Sequence, residues 1–200
     1  MKKIIAIAVL VLVITASAFA GYIGVEVNGD FYMGNVKIRN EEGEYESRYH
    51  EEYATLSLTA IGEFLTYMED LGFGGGVTFE KPLYWERYGK DLDVSQNTFR
   101  IREVCGYVIF PSGIYYTSTF NIDAGLYYRR EYLASQVGGN RCHTIGLFGK
   151  FEFVFDNPSF VVPRIGCKIK MPFLSFVEGD TRAIMDGVSI GAYVTLGFGG

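Results

Sequence analysis

Histidine is nearly missing from this chain: His50 and His143 are its only two. Cysteine is scarce (Cys105, Cys142 and Cys167), as are proline (five) and tryptophan (one). Two histidines and three scattered cysteines make no metal-ligand spacing, so neither a metal centre nor a cofactor is expected. Three cysteines are an awkward number for an exported chain. On the strand map below they fall on non-neighbouring strands or at different heights, and a bridge needs Cα atoms within about 7 Å. Free thiols are expected, and if any of them is reactive it is Cys142, near a loop. No basic cluster is present, and Lys+Arg 18 against Asp+Glu 23 gives a formal charge of −5. Nucleic acid is therefore excluded as a partner.

One long apolar run exists, at the start. "MKKIIAIAVLVLVITASAFA" has a basic start (Lys2, Lys3), an apolar stretch from Ile4 to Ile14, and a small-residue end at Ala18-Phe19-Ala20. This is the pattern of a secretory signal peptide over residues 1–20, with cleavage expected before Gly21. The apolar stretch is shorter than the roughly 20 residues of a membrane-spanning helix. Residues 21–200 then form one domain of ordinary size, without internal repeat or linker.

What is abundant is glycine (25), tyrosine (15) and phenylalanine (16). Glycine here accompanies aromatic and β-branched residues, which favour pleated strands. The ending "GVSIGAYVTLGFGG" shows how they are used: Val188, Ile190, Ala192, Val194, Leu196 and Phe198 alternate with Ser189, Gly191, Tyr193, Thr195 and Gly197. The same period-2 pattern recurs in "GYIGVEVNG", "YATLSLTAIGEFL", "LGFGGGVTFEK", "TSTFNIDAGLYYR", "HTIGLFGKFEFVF" and "FVVPRIGCKIKM". It is blurred in "FRIREVCGYVIF", where Arg102 and Glu103 are adjacent. Such alternation marks strands with one apolar and one polar face, and eight are counted. Ile61, Phe64, Leu65, Met68 and Leu71 also fit a helical stripe, so a short helix over "IGEFLTYMEDL" is the competing reading there. Short connections fall near 67–70, 111–116 and 156–159. Long ones fall at 34–52, 82–98, 130–143 and 172–187.

The polar faces decide which side is inside. They mix single charges with Gly24, Gly74, Gly76, Gly125, Gly146, Gly166 and Gly191. Glycine on a solvated strand face weakens the strand. Inside a narrow closed barrel it makes room, because eight strands leave a lumen only just wide enough for side chains. The bulky Phe, Leu, Ile and Val would then face lipid, on segments of the 9–11 residues that span a bilayer. Tyr22, Tyr53, Tyr67, Tyr84, Trp85, Tyr115, Tyr116 and Tyr132, near segment ends, are read as aromatic girdles.

In this pattern residues 21–200 resemble the small eight-stranded outer-membrane β-barrels of bacteria. The resemblance implies an all-β fold, an eight-stranded antiparallel up-and-down transmembrane β-barrel, with both termini periplasmic and four longer loops outside. It implies location in the outer membrane among its lipids, as a monomer. The ending departs from the family, whose members commonly finish on an aromatic residue; here Phe198 is followed by Gly199 and Gly200.

The predicted lumen carries Glu26, Glu63, Glu80, Asp123, Arg129, Lys150, Glu152, Arg164, Lys168 and Lys170. Both signs are present, so the buried charges can pair, as they must to offset desolvation. An ion-pair plug is the expected use, with a narrow polar channel the alternative. No catalytic residue is assigned. Some barrels of this kind modify lipid A with a histidine and a serine or acid, and His143 with Ser135 is the pair available, but no motif surrounds it. "GFGGG" at 72–76 lacks the Lys-Ser/Thr and helix of a phosphate loop.

Loops remain as places for binding. Loop 34–52 is dense in charge, with Glu41, Glu42, Glu44, Glu46, Glu51 and Glu52 beside Lys37, Arg39 and Arg48, and loop 82–98 holds Tyr84, Trp85 and Tyr88. The expected role is structural, adhesive or the passage of small apolar molecules. A soluble exported barrel with a hydrophobic ligand inside, lipocalin-like, is the second reading, and in it the apolar face would line the cavity.

Overall fold

In the computed structural model, the residues described are 21–39, 42, 44–65, 71–87, 90–91, 101–115, 118–132, 141–155, 161–177 and 183–199. They form nine strands: β1 Gly21–Arg39, β2 Tyr45–Leu65, β3 Gly72–Arg87, β4 Lys90–Asp91, β5 Ile101–Tyr115, β6 Ser118–Tyr132, β7 Arg141–Phe155, β8 Val161–Val177 and β9 Ala183–Gly199. The eight long strands pair antiparallel with their neighbours in sequence, and β1 pairs with β9. The sheet is therefore a closed, eight-stranded antiparallel up-and-down β-barrel. The two-residue β4 adds a rung to the end of β3, opposite Glu86 and Arg87. Closure removes the unpaired edges that an open sheet would expose. Both ends of the barrel chain lie on one rim, where Tyr22 pairs with Gly199.

The faces are inverted relative to a water-soluble protein. Outward residues are apolar and exposed, such as Leu196 at 59% and Ile190 at 57%, while inward Glu26 and Lys150 are at 1% and 3%. The lipocalin-like reading required the apolar face to line the cavity; it faces out instead. Phe198 ends the outward row of β9 at 54% exposure, paired with Ile23 of β1.

The strands are longer than their apolar stretches. The β1–β2 ladder continues to Arg39 opposite Tyr45, so most of the expected loop 34–52 is a hairpin. Residues 82–87, 130–132, 141–143, 172–177 and 183–187 are likewise strand. Beyond the apolar band the sequence no longer alternates cleanly: β2 opens on Tyr45, Glu46, Ser47 and Arg48, and β8 ends on Pro172, Phe173, Leu174, Ser175, Phe176 and Val177. The period-2 signal that marks a half-buried strand vanishes there, although backbone pairing does not.

The helical alternative at 61–71 fails where it is described. Ile61 sits between Gly24 and Gly76 in the ladders and is buried inward, whereas Phe64 faces out. The stripe would have put them together. The blurred segment is β5, with Glu103, Tyr107 and Ile109 buried inward and Val104 and Phe110 exposed. Two girdle assignments are corrected: Tyr22 and Tyr53 point into the lumen, at 6% and 2% exposure. Tyr84 is exposed as expected, and Tyr67 and Tyr116 lie outside the described residues.

Candidate functional site

The lumen is built by register. All ten predicted side chains are buried there, and nine of them join three ion-pair groups stacked along the axis. Nearest the rim of the termini, Arg164 donates from Nη1 to Glu63 (2.6 Å) and to Glu152 (2.9 Å). The remaining oxygens of the two glutamates accept from tyrosines: Tyr107 to Glu63 at 2.7 Å and Tyr193 to Glu152 at 3.1 Å. The Arg164 guanidinium lies 3.4 Å from the centre of the Tyr22 ring.

In the middle group, Glu26 accepts from Lys150 at 3.1 Å and from Lys168 at 3.4 Å. Lys168 also stands 3.6 Å from Asp30. The Lys150 ammonium is held between two rings, 4.7 Å from Tyr107 and 5.1 Å from Tyr193. Towards the other rim, Lys170 donates to Glu103 at 2.8 Å and to Glu80 at 3.5 Å, and Arg129 lies 3.1 Å from Glu80. A buried ion must be paired and hydrogen-bonded to offset its desolvation, and rings beneath the cations add attraction.

Asp123 stands apart. It is 1% exposed and neither carboxylate oxygen accepts a hydrogen bond among the described residues. Its carboxylate lies within 4.8 Å of ligand oxygens of Glu63 and Glu152. Arg164, Tyr107 and Tyr193 already occupy those two glutamates. A guanidinium among the three acids sets this cluster against a divalent ion.

Sequence reasoning missed Asp30 and Glu103, both buried in the lumen at 4% and 3% exposure, and it placed Glu51 in an exposed charged loop, whereas Glu51 is a fully buried β2 residue at 0%. Asp30 continues the inward row of Gly24, Glu26 and Asn28 by one step, so the signal was present. Glu103 was hidden by the adjacent Arg102. Among the described residues, two small cavities inside hold about 10 Å³ each, room for about one water molecule.

No protein-family profile matches the sequence, and no curated protein does. Solved structures match the fold. Neisserial surface protein A (NspA) superposes with a TM-score of 0.51 at 11% identity, over 88% of this chain and 97% of that one. The outer membrane protein OprG from Pseudomonas aeruginosa gives 0.54 at 12%, over 91% and 98%. The fold is that of the small outer-membrane barrels. Identity this low carries over the architecture and no ligand or activity.

On this barrel the histidines sit apart from the lumen pairs. His50 is exposed, with Nε2 2.8 Å from Glu52 and Nδ1 3.4 Å from Asn35. His143 is on the outer wall, stacked on Phe176 at 4.9 Å and 2.6 Å from the Tyr128 hydroxyl. Ser135 lies outside the described residues. The three cysteines are free thiols. Cys142, expected to be reactive, is fully buried, whereas Cys167 is exposed on the outer wall.

Proposed function

We propose that this protein is an outer-membrane barrel with a plugged, non-conducting lumen, whose role is structural or interactive at the cell envelope. One observation carries the reading. Among the described residues, paired charges and tyrosine rings crowd the lumen from Arg164 to Arg129, and two pockets between them hold about 10 Å³ each. A hydrated ion or a solute needs a continuous path, and eight strands leave room only for side chains. The outward band of Leu, Ile, Val and Phe supports a bilayer location, because a closed barrel satisfies every backbone group there. The shared rim of the termini is assigned to the periplasmic side, with the longer strand ends and the loops between them outside.

The test uses full-length protein extracted from membranes in detergent. It is expected to run as a compact band that shifts on boiling, to partition with outer membranes, and to give no conductance steps in a planar bilayer. Regular steps would overturn the plug. Protein that is monomeric in plain buffer without a gel shift would overturn the membrane location.

A further inference from the structure

The lumen charges balance in two of the three groups and not in the third. In the middle, Lys150 and Lys168 face Glu26 and Asp30. Towards the far rim, Lys170 and Arg129 face Glu80 and Glu103. Nearest the rim of the termini, Arg164 faces Glu63 and Glu152, and Asp123 is a third acid beside them. Lys150 stands opposite Asp123 in the β6–β7 ladder, but its ammonium goes to Glu26. Among the described residues, this group therefore carries two negative charges in excess. Buried charge without a partner is costly enough that something must offset it.

Oxygens without partners mark the place. Neither oxygen of Asp123, 1% exposed, accepts a hydrogen bond among the described residues, and nor does Oδ1 of Asn121, 8% exposed. Asn121 lies one inward step from Asp123, towards the Ser118 end of β6, and stands opposite Glu152. One proton cannot serve three such acceptors, whereas one metal ion can. The three carboxylates offer oxygens within 4.8 Å of one another. Oxygens on opposite sides of a calcium-sized ion, each about 2.3–2.6 Å from it, are separated by about that distance. Sodium is of similar size. Charge selects between them: Arg164 already contacts both glutamates, and its repulsion of a second cation grows with that cation's charge. A monovalent ion meets half the repulsion of a divalent one.

We propose that Asp123, Asn121, Glu63 and Glu152 hold one alkali-metal ion of sodium size inside the barrel. Asp123 supplies the charge and Asn121 a neutral carbonyl oxygen. The glutamates keep Arg164, Tyr107 and Tyr193 on their other lone pairs. The ion enters from the rim of the termini and goes no further, because Lys150 and Lys168 stand beyond it with like charge. It is held as part of the plug.

The test uses full-length folded protein in uncharged detergent, with ionic strength kept constant by choline chloride. Dialysis against radioactive sodium is expected to retain one ion per barrel. Urea midpoints, read by circular dichroism, should rise with the logarithm of sodium concentration, as for any ligand of the folded state. Asp123→Asn keeps the shape and removes the charge; it should abolish both responses while folding in choline at least as well as the parent. Asn121→Leu should weaken retention about tenfold, the size of one lost bond to a charged group. Asp186→Asn, an exposed acid on the outer wall, should change neither response. Undiminished retention by Asp123→Asn, or tighter retention of calcium than of sodium, would overturn the site. So would a parent that retains no sodium and whose midpoint falls as pH rises, since Asp123 would then carry a proton in place of a metal ion.

Discussion

Tyr107 of β5 packs against the bare backbone of Gly74 on β3: a Cβ on Gly74 would stand 2.3 Å from the tyrosine ring. On the other flank, a Cβ on Gly125 of β6 would stand 2.6 Å from the Tyr107 Cβ. The ladders place Tyr107 directly opposite both glycines. Tyr127 meets Gly146 and Tyr193 meets Gly166 in the same way. Gly74, Gly146 and Gly166 are therefore seats for tyrosine rings, and the Tyr107 and Tyr193 hydroxyls donate to Glu63 and Glu152 while their rings flank Lys150. Gly74→Ala is predicted to destabilise the barrel by about 1–3 kcal/mol, the usual cost of overpacking. Gly29→Ala, facing outward with nothing within 4 Å of the new Cβ, should cost less. Urea midpoints of the boiling-sensitive band in vesicles compare them; equal midpoints would show that the ring moves aside freely.

The lumen cations are held by shared acids, so single removals leave buried charge exposed to no water. Glu26→Leu strips Lys150 of its carboxylate contact and leaves Lys168 with Asp30 at 3.6 Å. The expected loss is about 3–5 kcal/mol. Adding Lys150→Leu should recover part of it, with a coupling of about 0.5–3 kcal/mol in a double-mutant cycle. Strictly additive losses would mean that the pair does not interact.

Much of this arrangement was legible in the chain, and the limits have physical causes. Alternation assigned faces correctly wherever one face is apolar and the other polar, as from Val188 to Phe198. It failed above the apolar band, where β1 and β2 run on through Lys37 and Tyr45 and β2 carries Tyr45, Glu46, Ser47 and Arg48 without apolar alternation. The small residues of the polar face pointed to a crowded lumen, but not to what crowds it. Rings over glycines arise from cross-strand register, and register is a property of pairs of strands. The same is true of Asn121 beside Glu152, far apart in sequence and adjacent only through the β6–β7 ladder.

The outer wall should reject charge at mid-height. Val194 on β9 is 50% exposed, between Ala192 and Leu196 on the outward row. Val194→Arg is predicted to cost about 2–4 kcal/mol in a bilayer, as for arginine near the midplane of other barrels. Folded fractions in vesicles across a urea series measure the cost. A variant as stable as the parent would place this row in water.

The thiols give an independent map of inside and outside. Cys167 projects from the wall of β8, and Cys142 is fully buried. The thiolate is the reactive form, and it needs access to solvent or reagent. In folded protein held in vesicles, a membrane-permeant apolar maleimide should label Cys167, and a sulfonated, water-borne one should not. Cys142 should stay silent to both until urea opens the barrel. Peptide mapping by mass spectrometry assigns each adduct to its cysteine. Labelling of Cys167 by the sulfonated reagent in intact vesicles would put this face of β8 in water, whereas early modification of Cys142 would mean that the barrel breathes open between β7 and β8, the strands that pair Cys142 with Val177.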